Sequence, residues 1–288
     1  MSTTQTSITQ SQQDQFENEG YIILPKVLSP DVVESARRSV QQLVDREADK
    51  LMERGLISDP LKSEPFETRL LRLYENHLDA APNSFRPELH LAGLFPIFFD
   101  SKTLDVAEAF LGSEIRLYPN YTVRPKLPDH CASLVLWHQD GGYTAVNSAE
   151  SAGHDVSEMR MLNVWSPLVP ANRQNGCMQF VPGTHKLGVL PHEKRKHYLE
   201  IAAEYLKPRE KEAIDIELDP GDIVLFSNLL FHRGLSNLTK AVRWSLDWRY
   251  QDANQDTLRK EKGHIARSRQ NPDSAIKSAK EWTDARFE

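Results

Sequence analysis

The residues best suited to chemistry are a histidine and an aspartate that stand two positions apart. His138 and Asp140 flank Gln139 at the end of an apolar segment, Ser133–His138, which we predict to be a strand. Because alternate side chains of a strand point to the same face, the imidazole and the carboxylate would lie side by side. Two glycines follow and would let the backbone turn sharply away. Such a pair makes half of a metal site, but the pattern is too common to predict one alone.

A second histidine could complete the site. His232 follows a turn, Asp219-Pro-Gly-Asp222, and a short apolar strand, about ninety residues after Asp140. A lone histidine in an apolar segment is more often a core residue with satisfied hydrogen bonds. A jelly roll, however, would permit the distant strands to meet. Two histidines and one carboxylate on one face of an iron(II) ion leave three coordination positions open, the arrangement of iron oxygenases.

A third candidate, Arg243, stands eleven residues after His232 on the predicted strand Val242–Tyr250. One face of this strand would carry Arg243, Ser245, Asp247 and Arg249, and the other Trp244, Leu246, Trp248 and Tyr250. The aromatic face must pack on something, such as a helix, so Arg243 would point into the barrel. An unpaired guanidinium there is costly, and a carboxylate ligand would satisfy it bidentately. The alternative is an internal salt bridge, for example to Asp247.

The elements that must position these residues fall into a helical and a β-rich part. Helices are predicted from about Thr9 to Glu19, from Ser29-Pro30 to Glu53, near 66–79 and over 102–112, with a strand at Tyr21–Leu24. Further strands are predicted at Ile115–Val123, Ser133–His138, Met159–Ser166, Met178–Val181, Ile214–Leu218, Ile223–Phe226 and Val242–Tyr250. Many short strands without regular helices between them predict a sandwich or barrel. The insertion at 191–213 is charged, and we predict it to be helical.

Length and composition indicate one large globular domain. The chain has 288 residues, of which 39% are hydrophobic and 26% charged, and its net charge of -6 argues against nucleic-acid or membrane partners. No signal peptide is expected, and two cysteines suit a reducing cytoplasm. We expect a disordered segment at 1–8, one domain over 9–252 with a jelly-roll core from about 115, and a polar surface tail at 253–288. A monomer or homodimer is expected.

These motifs occur in an order that resembles the phytanoyl-CoA dioxygenase family. The likeness rests on the His138-Gln-Asp140 unit, the segment Trp165–Lys186 with its Asn-Gly-Cys and Pro-Gly-Thr-His-Lys motifs, and the spacing from His232 to Arg243. The N-terminal Phe16 to Ile23 segment is also similar. Each motif is modest alone, whereas the ordered set is specific and covers about residues 12–252.

The resemblance implies a mainly β core with flanking helices, a double-stranded β-helix of the cupin-like jelly-roll type. It implies iron(II) bound by His138, Asp140 and His232, with the distal carboxylate of the co-substrate 2-oxoglutarate on Arg243. Trp165 would lie near the co-substrate, and Gln139 would be a near-site residue. The reaction would use O2 to oxidise a small organic molecule. The carboxylate of Asp140 favours hydroxylation, because halogenating relatives have a small residue there; desaturation and ring formation stay open.

Two departures from the family pattern stand out. Some relatives have a serine two residues after the distal histidine, where this chain has Gly234, so that contact to the co-substrate is missing or replaced. The segment Tyr143–Glu158 forms a longer loop, either a lid over the substrate or a passive insertion. We expect the Pro182–Lys186 turn to be structural and the cysteines to be small buried residues. His130, His154, His192 and His197 are expected to be solvent histidines.

Two other classes of function compete with an oxygenase. A non-catalytic cupin-like binding protein would not need the intact triad together with Arg243. A cupin-type zinc enzyme would leave Arg243 and Trp165 unexplained. The sequence does not identify the substrate, although Asn120, Thr122 and the segment Arg72–Asn76 are candidate pocket walls.

Overall fold

A computed structural model describes residues 8–130, 133–147 and 155–286, without the side chain of Asn147. The helices are α1 (Gln10–Glu19), α2 (Pro30–Glu53), α3 (Arg69–Leu73), α4 (Phe95–Phe98), α5 (Ser101–Leu111), α6 (Asp140–Asn147), α7 (Ala203–Leu206) and α8 (Ala279–Asp284). Short 3-10 turns lie at Leu78–Ala80, Pro87–Leu89, Ala92–Leu94, Val156–Glu158, Thr184–Leu187, Glu210–Glu212 and Pro272–Ser274. The strands are β1 (Tyr21–Leu24), β2 (Ile115–Leu117), β3 (Thr122–Lys126), β4 (Met161–Pro167), β5 (Met178–Val181), β6 (His192–Lys194), β7 (Leu199–Ile201), β8 (Ile214–Ile216), β9 (Ile223–Ser227), β10 (Phe231–Gly234), β11 (Arg243–Asp252) and β12 (His264–Arg267).

The strands form two antiparallel sheets that enclose the site. The major sheet has the order β1-β9-β4-β11-β2-β12, with β3 also paired to β11, and the minor sheet has the order β10-β5-β8. Apolar side chains of β4 and β9 in the major sheet and of β5 and β8 in the minor sheet share one cluster. This arrangement, with helices outside, confirms the predicted jelly roll. Strands β6 and β7 form a separate hairpin.

The N-terminal helices begin and end at the residues that the sequence indicates. Thr9 and Gln12 form a reciprocal capping box at the start of α1, and Gly20, with φ of 84°, ends it. Ser29 caps α2 by accepting a hydrogen bond from the Val32 amide. One face of α2 belongs to the same core cluster as the four aromatic and aliphatic side chains of β11. The helices thus cover the outer face of the major sheet, which leaves Arg243 on its inner face.

Three local predictions are wrong, in each case because long-range packing overrides local pattern. Segment 133–138 is not a strand; His138 makes only an isolated bridge to His232, and α6 begins two residues later. The insertion at 191–213 contains the hairpin β6–β7, held by the bond from the Ile201 amide to the Trp137 carbonyl (2.9 Å), with only short helical turns after it. The segment near 66–79 shortens to α3 and one 3-10 turn.

The C-terminal segment does more than cover the surface. Strand β12 extends the major sheet beside β2, and α8 places Trp282 in the core with no exposed surface. The indole Nε1–H of Trp282 donates to the Leu89 carbonyl at 3.0 Å. The mostly polar C-terminal segment therefore contributes one large apolar side chain to the hydrophobic core. Among the described helices, none combines the length and apolar character that a membrane span requires.

Candidate active site

The three predicted metal ligands lie together where the two sheets meet. His138 and His232 exchange two backbone hydrogen bonds of 2.9 and 3.0 Å, and their ring centroids are 4.0 Å apart. Asp140, at the first position of α6, turns its carboxylate toward both imidazoles. One donor atom from each of the three residues lies within 4.8 Å of the others. The structure thus brings together the triad that the sequence predicts.

Hydrogen bonds fix the form of both imidazoles. The Nδ1 atom of His138 lies 2.8 Å from the Leu136 carbonyl, and that of His232 lies 2.9 Å from the Leu230 carbonyl. Because a carbonyl oxygen can only accept, Nδ1 carries the proton and Nε2 presents its lone pair. Burial, with the nearby imidazole of His138, lowers the pKa of His232 to about 3. Neutral imidazoles held by a second hydrogen bond fit the requirements of a metal centre.

Two residues that the sequence analysis missed hold the carboxylate of Asp140. Arg249 Nη2 lies 2.9 Å from Oδ1, and Asn163 Nδ2 donates to Oδ2 at 2.8 Å. Although burial alone would raise the pKa of Asp140, Arg249 and the two histidines hold it well below its ordinary value. The carboxylate is therefore ionised and oriented. Its distances of 3.7 and 3.9 Å to the Nε2 atoms of His138 and His232 are too long for hydrogen bonds and suit donors that share a cation.

Gln139 supports the segment between the two ligands. Its side-chain Nε2 donates to the Gly188 and Leu229 carbonyls at 2.8 and 2.7 Å, and its Oε1 accepts from the Leu190 amide at 2.9 Å. Gln139 is fully buried and does not line either cavity described below. These contacts favour a positioning role over the co-substrate contact that the resemblance implies.

His192 packs against the start of α6 and is not a solvent histidine. Its Nε2 accepts from the Gln139 amide at 3.0 Å, and its Nδ1 lies 2.8 Å from the Leu190 carbonyl. A Cβ at Gly142 would lie only 2.2 Å from the imidazole ring of His192. Gly141 and Gly142 lie within α6, so the second glycine is needed for this close approach and not for the sharp turn that we predicted.

Arg243 and the triad line the same cavity of about 90 Å³, the smaller of two at this site. In Arg243, Nη2 donates to the Gly176 carbonyl at 2.7 Å and Nη1 to Ser245 Oγ at 2.5 Å, while the buried Nε has no partner. Burial lowers the pKa of Arg243 to about 10. The guanidinium carbon lies 5.3 Å from the ring centroid of Trp165, which lines the same cavity.

Asp247 is not the counter-ion of Arg243. Its carboxylate lies 2.6 Å from Arg124 Nε and 3.4 Å from Arg249 Nη1. No carboxylate oxygen in the described part of the chain comes within 4.0 Å of Arg243. The predicted alternative, an internal salt bridge of Arg243 to Asp247, is therefore wrong.

A second buried cation, Lys126, lies beside Arg243 and was not predicted. The two residues are cross-strand partners on β3 and β11, and Lys126 is only 3% exposed. Burial, and then the charge of Arg243, holds the pKa of Lys126 well below its ordinary value. Its Nζ donates to the Ser133 carbonyl at 2.8 Å and would lie 3.1 Å from a Cβ at Gly234. Lys126 thus occupies the space beside the glycine that replaces the serine of some relatives.

A second, larger cavity of about 400 Å³ adjoins the first. Both cavities are lined by His138 and Asp140, so a reactive centre there would face both of them. Asn120 lines the larger cavity as predicted, whereas segment 72–76 does not and segment 83–86 takes its place. A cavity of this size suits a small organic molecule.

The remaining sequence predictions have mixed outcomes. Tyr143–Asn147 of the predicted loop belongs to α6, residues 148–154 lie outside the described residues, and the lid stays a prediction. The Pro182–Lys186 turn is structural as expected, because Thr184 Oγ1 donates to the Val181 carbonyl at 2.7 Å and accepts from the Phe231 amide at 3.0 Å.

The other predicted solvent histidines and the cysteines differ in burial. The side chain of His130 is buried and that of His197 is exposed. Cys177 is buried as expected, whereas Cys131 and His154 lie outside the described residues.

Comparison with known proteins identifies this architecture. The model of the phytanoyl-CoA dioxygenase (PhyH) family matches residues 16–245. A 1-deoxypentalenic acid 11-beta-hydroxylase of Streptomyces arenae is 29% identical over 164 residues, which cover 52% of this chain and 54% of the relative. The chain thus spans about half the length of that relative. A methylphosphonate hydroxylase of Gimesia maris is 25% identical over 262 residues, which cover 89% of this chain and 85% of the relative.

The fold has a close counterpart among solved structures. The crystal structure of EctD from S. alaskensis with 2-oxoglutarate and 5-hydroxyectoine superimposes with a TM-score of 0.63 at 18% identity. The match covers 96% of this chain and 87% of that protein. At this level of identity the likeness supports the jelly-roll fold, while the site must be judged by its own residues.

Proposed function

Because the chain belongs to the phytanoyl-CoA dioxygenase family of iron(II)- and 2-oxoglutarate-dependent oxidoreductases, we propose that it hydroxylates a small organic molecule. In the proposed reaction, one atom of O2 enters the substrate as a hydroxyl group. The other atom enters succinate as 2-oxoglutarate loses CO2. His138, Asp140 and His232 bind the iron, and Arg243 and Trp165 hold the co-substrate.

The observation that carries this proposal is a buried cation that has no counter-ion among the described residues. Arg243 is buried next to the triad, and its side chain donates hydrogen bonds only to neutral protein groups. A ligand carboxylate would match both the charge and the planar donor fork of Arg243. Lys126 lines the same smaller cavity and places a second nitrogen donor beside Arg243. A zinc hydrolase or a simple binding module has no need for this arrangement.

The residues of this chain have separate tasks in the proposed reaction. When bound, iron(II) and 2-oxoglutarate supply the oxidising chemistry. Arg243 and Lys126 orient the co-substrate in the smaller cavity, where the ring of Trp165 forms one wall. Arg249 and Asn163 keep the carboxylate of Asp140 ionised and aimed at the metal. The apolar cluster between the sheets, which contributes Trp165 and Met178 to the wall of the smaller cavity, excludes water from it.

Hydroxylation is favoured over desaturation and ring formation. Asp140 completes the three protein ligands, which argues against halogenation but does not by itself exclude desaturation or ring formation. The two aligned relatives named above are both hydroxylases. We further propose a cytoplasmic monomer or homodimer, in line with the sparse cysteines of the chain.

Labelled oxygen tests the proposed reaction. The protein would be supplied with iron(II), 2-oxoglutarate, ¹⁸O2 and a panel of small metabolites, with succinate and products measured by mass spectrometry. Hydroxylation predicts one labelled atom in the product and one in succinate. A product that has lost two hydrogens without gaining the label would assign desaturation instead. Succinate formation that no metabolite stimulates would leave the panel without a substrate and would require other metabolites.

A further inference from the structure

The larger cavity has an excess of positive charge. Four arginines line it: Arg86, Arg124, Arg249 and Arg259. Within the described residues, the carboxylates that line either cavity are those of Asp140 and Asp247. Asp140 also serves the metal. The cavity walls therefore carry more cations than their own anions can neutralise.

Two of these arginines have a partner inside the protein. Arg124 Nε lies 2.6 Å from Asp247 Oδ2, and Arg249 Nη2 lies 2.9 Å from Asp140 Oδ1. Both pairs fix residues of the site. Their charges are neutralised by the protein and are not available to a ligand.

Arg86 has no such partner. No carboxylate oxygen of residues 8–130, 133–147 or 155–286 lies within 4.0 Å of its guanidinium, although the residue is half-buried. Phe85, the preceding residue, bridges to Val123 and so brings Arg86 beside Arg124. Burial and then the charge of Arg124 lower the pKa of Arg86 to about 10. A partly desolvated cation next to another cation is unfavourable unless an anion joins them.

Arg259 is only weakly paired. Its Nε is 4.0 Å from Glu261 Oε2, and its Nη1 donates to the Pro119 carbonyl at 3.3 Å. Its Cζ lies 6.0 Å from the ring centroid of Tyr118, another residue of the cavity wall. Arg86 and Arg259 both line the larger cavity, and the charge of Arg259 adds slightly to the lowering of the Arg86 pKa.

An unsatisfied polar atom in the same cavity points independently to a ligand. The Oδ1 atom of Asn120 is buried and has no hydrogen-bond partner in the structure. Buried polar atoms are rarely left without a partner, because an unmade hydrogen bond is costly. Because an amide oxygen only accepts, a hydroxyl or amino group of the ligand would satisfy Asn120, while an anionic headgroup of the same ligand would pair with the two arginines.

We propose that the substrate is an organic anion whose oxyanion headgroup, a carboxylate or a phosphoryl or phosphonyl group, binds Arg86 and Arg259 in the larger cavity. Guanidinium groups bind such headgroups through paired hydrogen bonds. The carbon to be oxidised then lies toward His138 and Asp140. This inference rests on the proposed function, because it assigns the larger cavity to the substrate and the smaller one to 2-oxoglutarate.

Anion binding to the loaded protein tests this assignment without turnover. Inorganic phosphate and acetate, as minimal headgroups, would be titrated anaerobically into the protein with iron(II) and 2-oxoglutarate, at constant ionic strength, with the thermal midpoint as readout. We expect saturable stabilisation by at least one anion. Arg86→Gln and Arg259→Gln should each raise the half-saturating concentration by about tenfold. Phosphate as the tighter anion would indicate a phosphorus headgroup, and acetate a carboxylate.

Control variants separate a specific site from general charge. Arg195→Gln, on the exposed hairpin β6–β7, should bind the anions as the wild type does. Arg86→Lys keeps the charge, so its half-saturating anion concentration should lie between those of the wild type and Arg86→Gln. This variant gives a second test if the glutamine variant does not fold. Equal binding by the wild type and both Arg86 variants, or no saturable binding by the wild type, would overturn the inference.

The affinity for 2-oxoglutarate distinguishes this failure from failure of the proposed function. We expect Arg86→Gln and Arg259→Gln to leave that affinity unchanged. A large loss of 2-oxoglutarate affinity would mean that the co-substrate binds in the larger cavity, and would reject the assignment of that cavity to the substrate. A wild-type protein that binds no 2-oxoglutarate would instead contradict the proposed function itself.

Discussion

At the scale of single residues, each proposed metal ligand depends on neighbours that hold it in one state. His138 and His232 each donate Nδ1–H to a carbonyl two residues earlier, and Asp140 is held by Arg249 and Asn163. The proximity of the three proposed ligands was predictable, because the order of the motifs resembles that of a known family. The tautomers and the carboxylate partners were not, because they depend on contacts between strands that are distant in sequence.

Loss of any one ligand should abolish turnover. We expect His138→Ala, Asp140→Ala and His232→Ala to bind far less iron(II) while their circular dichroism stays close to that of the wild type, because each removes one of three protein donors. Metal content after dialysis checks this. His77→Ala, an exposed histidine that lines neither cavity, is the matched control. Full activity of any triad variant with iron supplied would remove that residue from the ligand set.

Arg243 should determine co-substrate affinity and not metal affinity. Arg243→Lys keeps the charge but loses the planar donor fork, so 2-oxoglutarate binding should weaken by about 1.5–3 kcal/mol. Titration calorimetry of the iron-loaded protein measures this change. Iron binding should survive. If metal binding collapsed while 2-oxoglutarate bound normally, Arg243 would be a structural residue.

At the scale of elements, strand alternation explains what was predictable and where prediction stops. The period of two along β11 placed Arg243, Asp247 and Arg249 on the inner face and four large apolar side chains on the outer face. It could not show that Lys126 is the cross-strand partner of Arg243, because the register of β3 on β11 is a long-range property. For the same reason, the apolar segment 133–138 gave no sign that it meets β10 through an isolated bridge and one further hydrogen bond in place of a strand ladder.

The start of α6 should tolerate no side chain at Gly142. Gly142→Ala would place a Cβ 2.2 Å from the imidazole ring of His192, so α6 or His192 must move. Overpacking of this kind costs about 1–3 kcal/mol, and the displacement should also weaken iron binding through Asp140. Chemical denaturation and metal titration measure the two effects. Val146→Ala, at an exposed position of the same helix, should change neither. Unchanged iron affinity in Gly142→Ala would show that His192 does not position the ligand segment.

At the scale of the whole molecule, helices and the C-terminal segment pack on one face of the major sheet. The proposed iron ligands lie on the side of its other face, with His232 on β10 of the minor sheet. Trp282 of α8 stacks on His90 at a centroid distance of 4.0 Å and joins the core below β11. The polar composition of this segment predicted a surface tail, since one tryptophan in a polar segment gives no periodic signal. The hydrophobic content of the whole chain nevertheless predicted a hydrophobic core large enough for one globular domain.

Trp282 should therefore stabilise the fold without taking part in catalysis. Trp282→Ala removes a fully buried side chain, and we expect the free energy of unfolding to fall by about 3–5 kcal/mol. Urea denaturation measures the loss. Lys280→Ala, on the same helix but exposed, is the control. A stability equal to that of the wild type would mean that the C-terminal segment does not contribute to the core.

The central claim is that the triad and the smaller cavity together hold iron(II) and 2-oxoglutarate. Anaerobic absorption spectroscopy tests it most directly, because chelation of iron(II) by the keto acid produces a weak visible charge-transfer band. We predict that the band appears when 2-oxoglutarate is added to the iron-loaded wild type and saturates at about one equivalent per chain. It should be absent from Asp140→Ala and should require more 2-oxoglutarate in Arg243→Lys. A folded wild-type protein that binds iron(II) but gives no band at saturating 2-oxoglutarate would contradict the account.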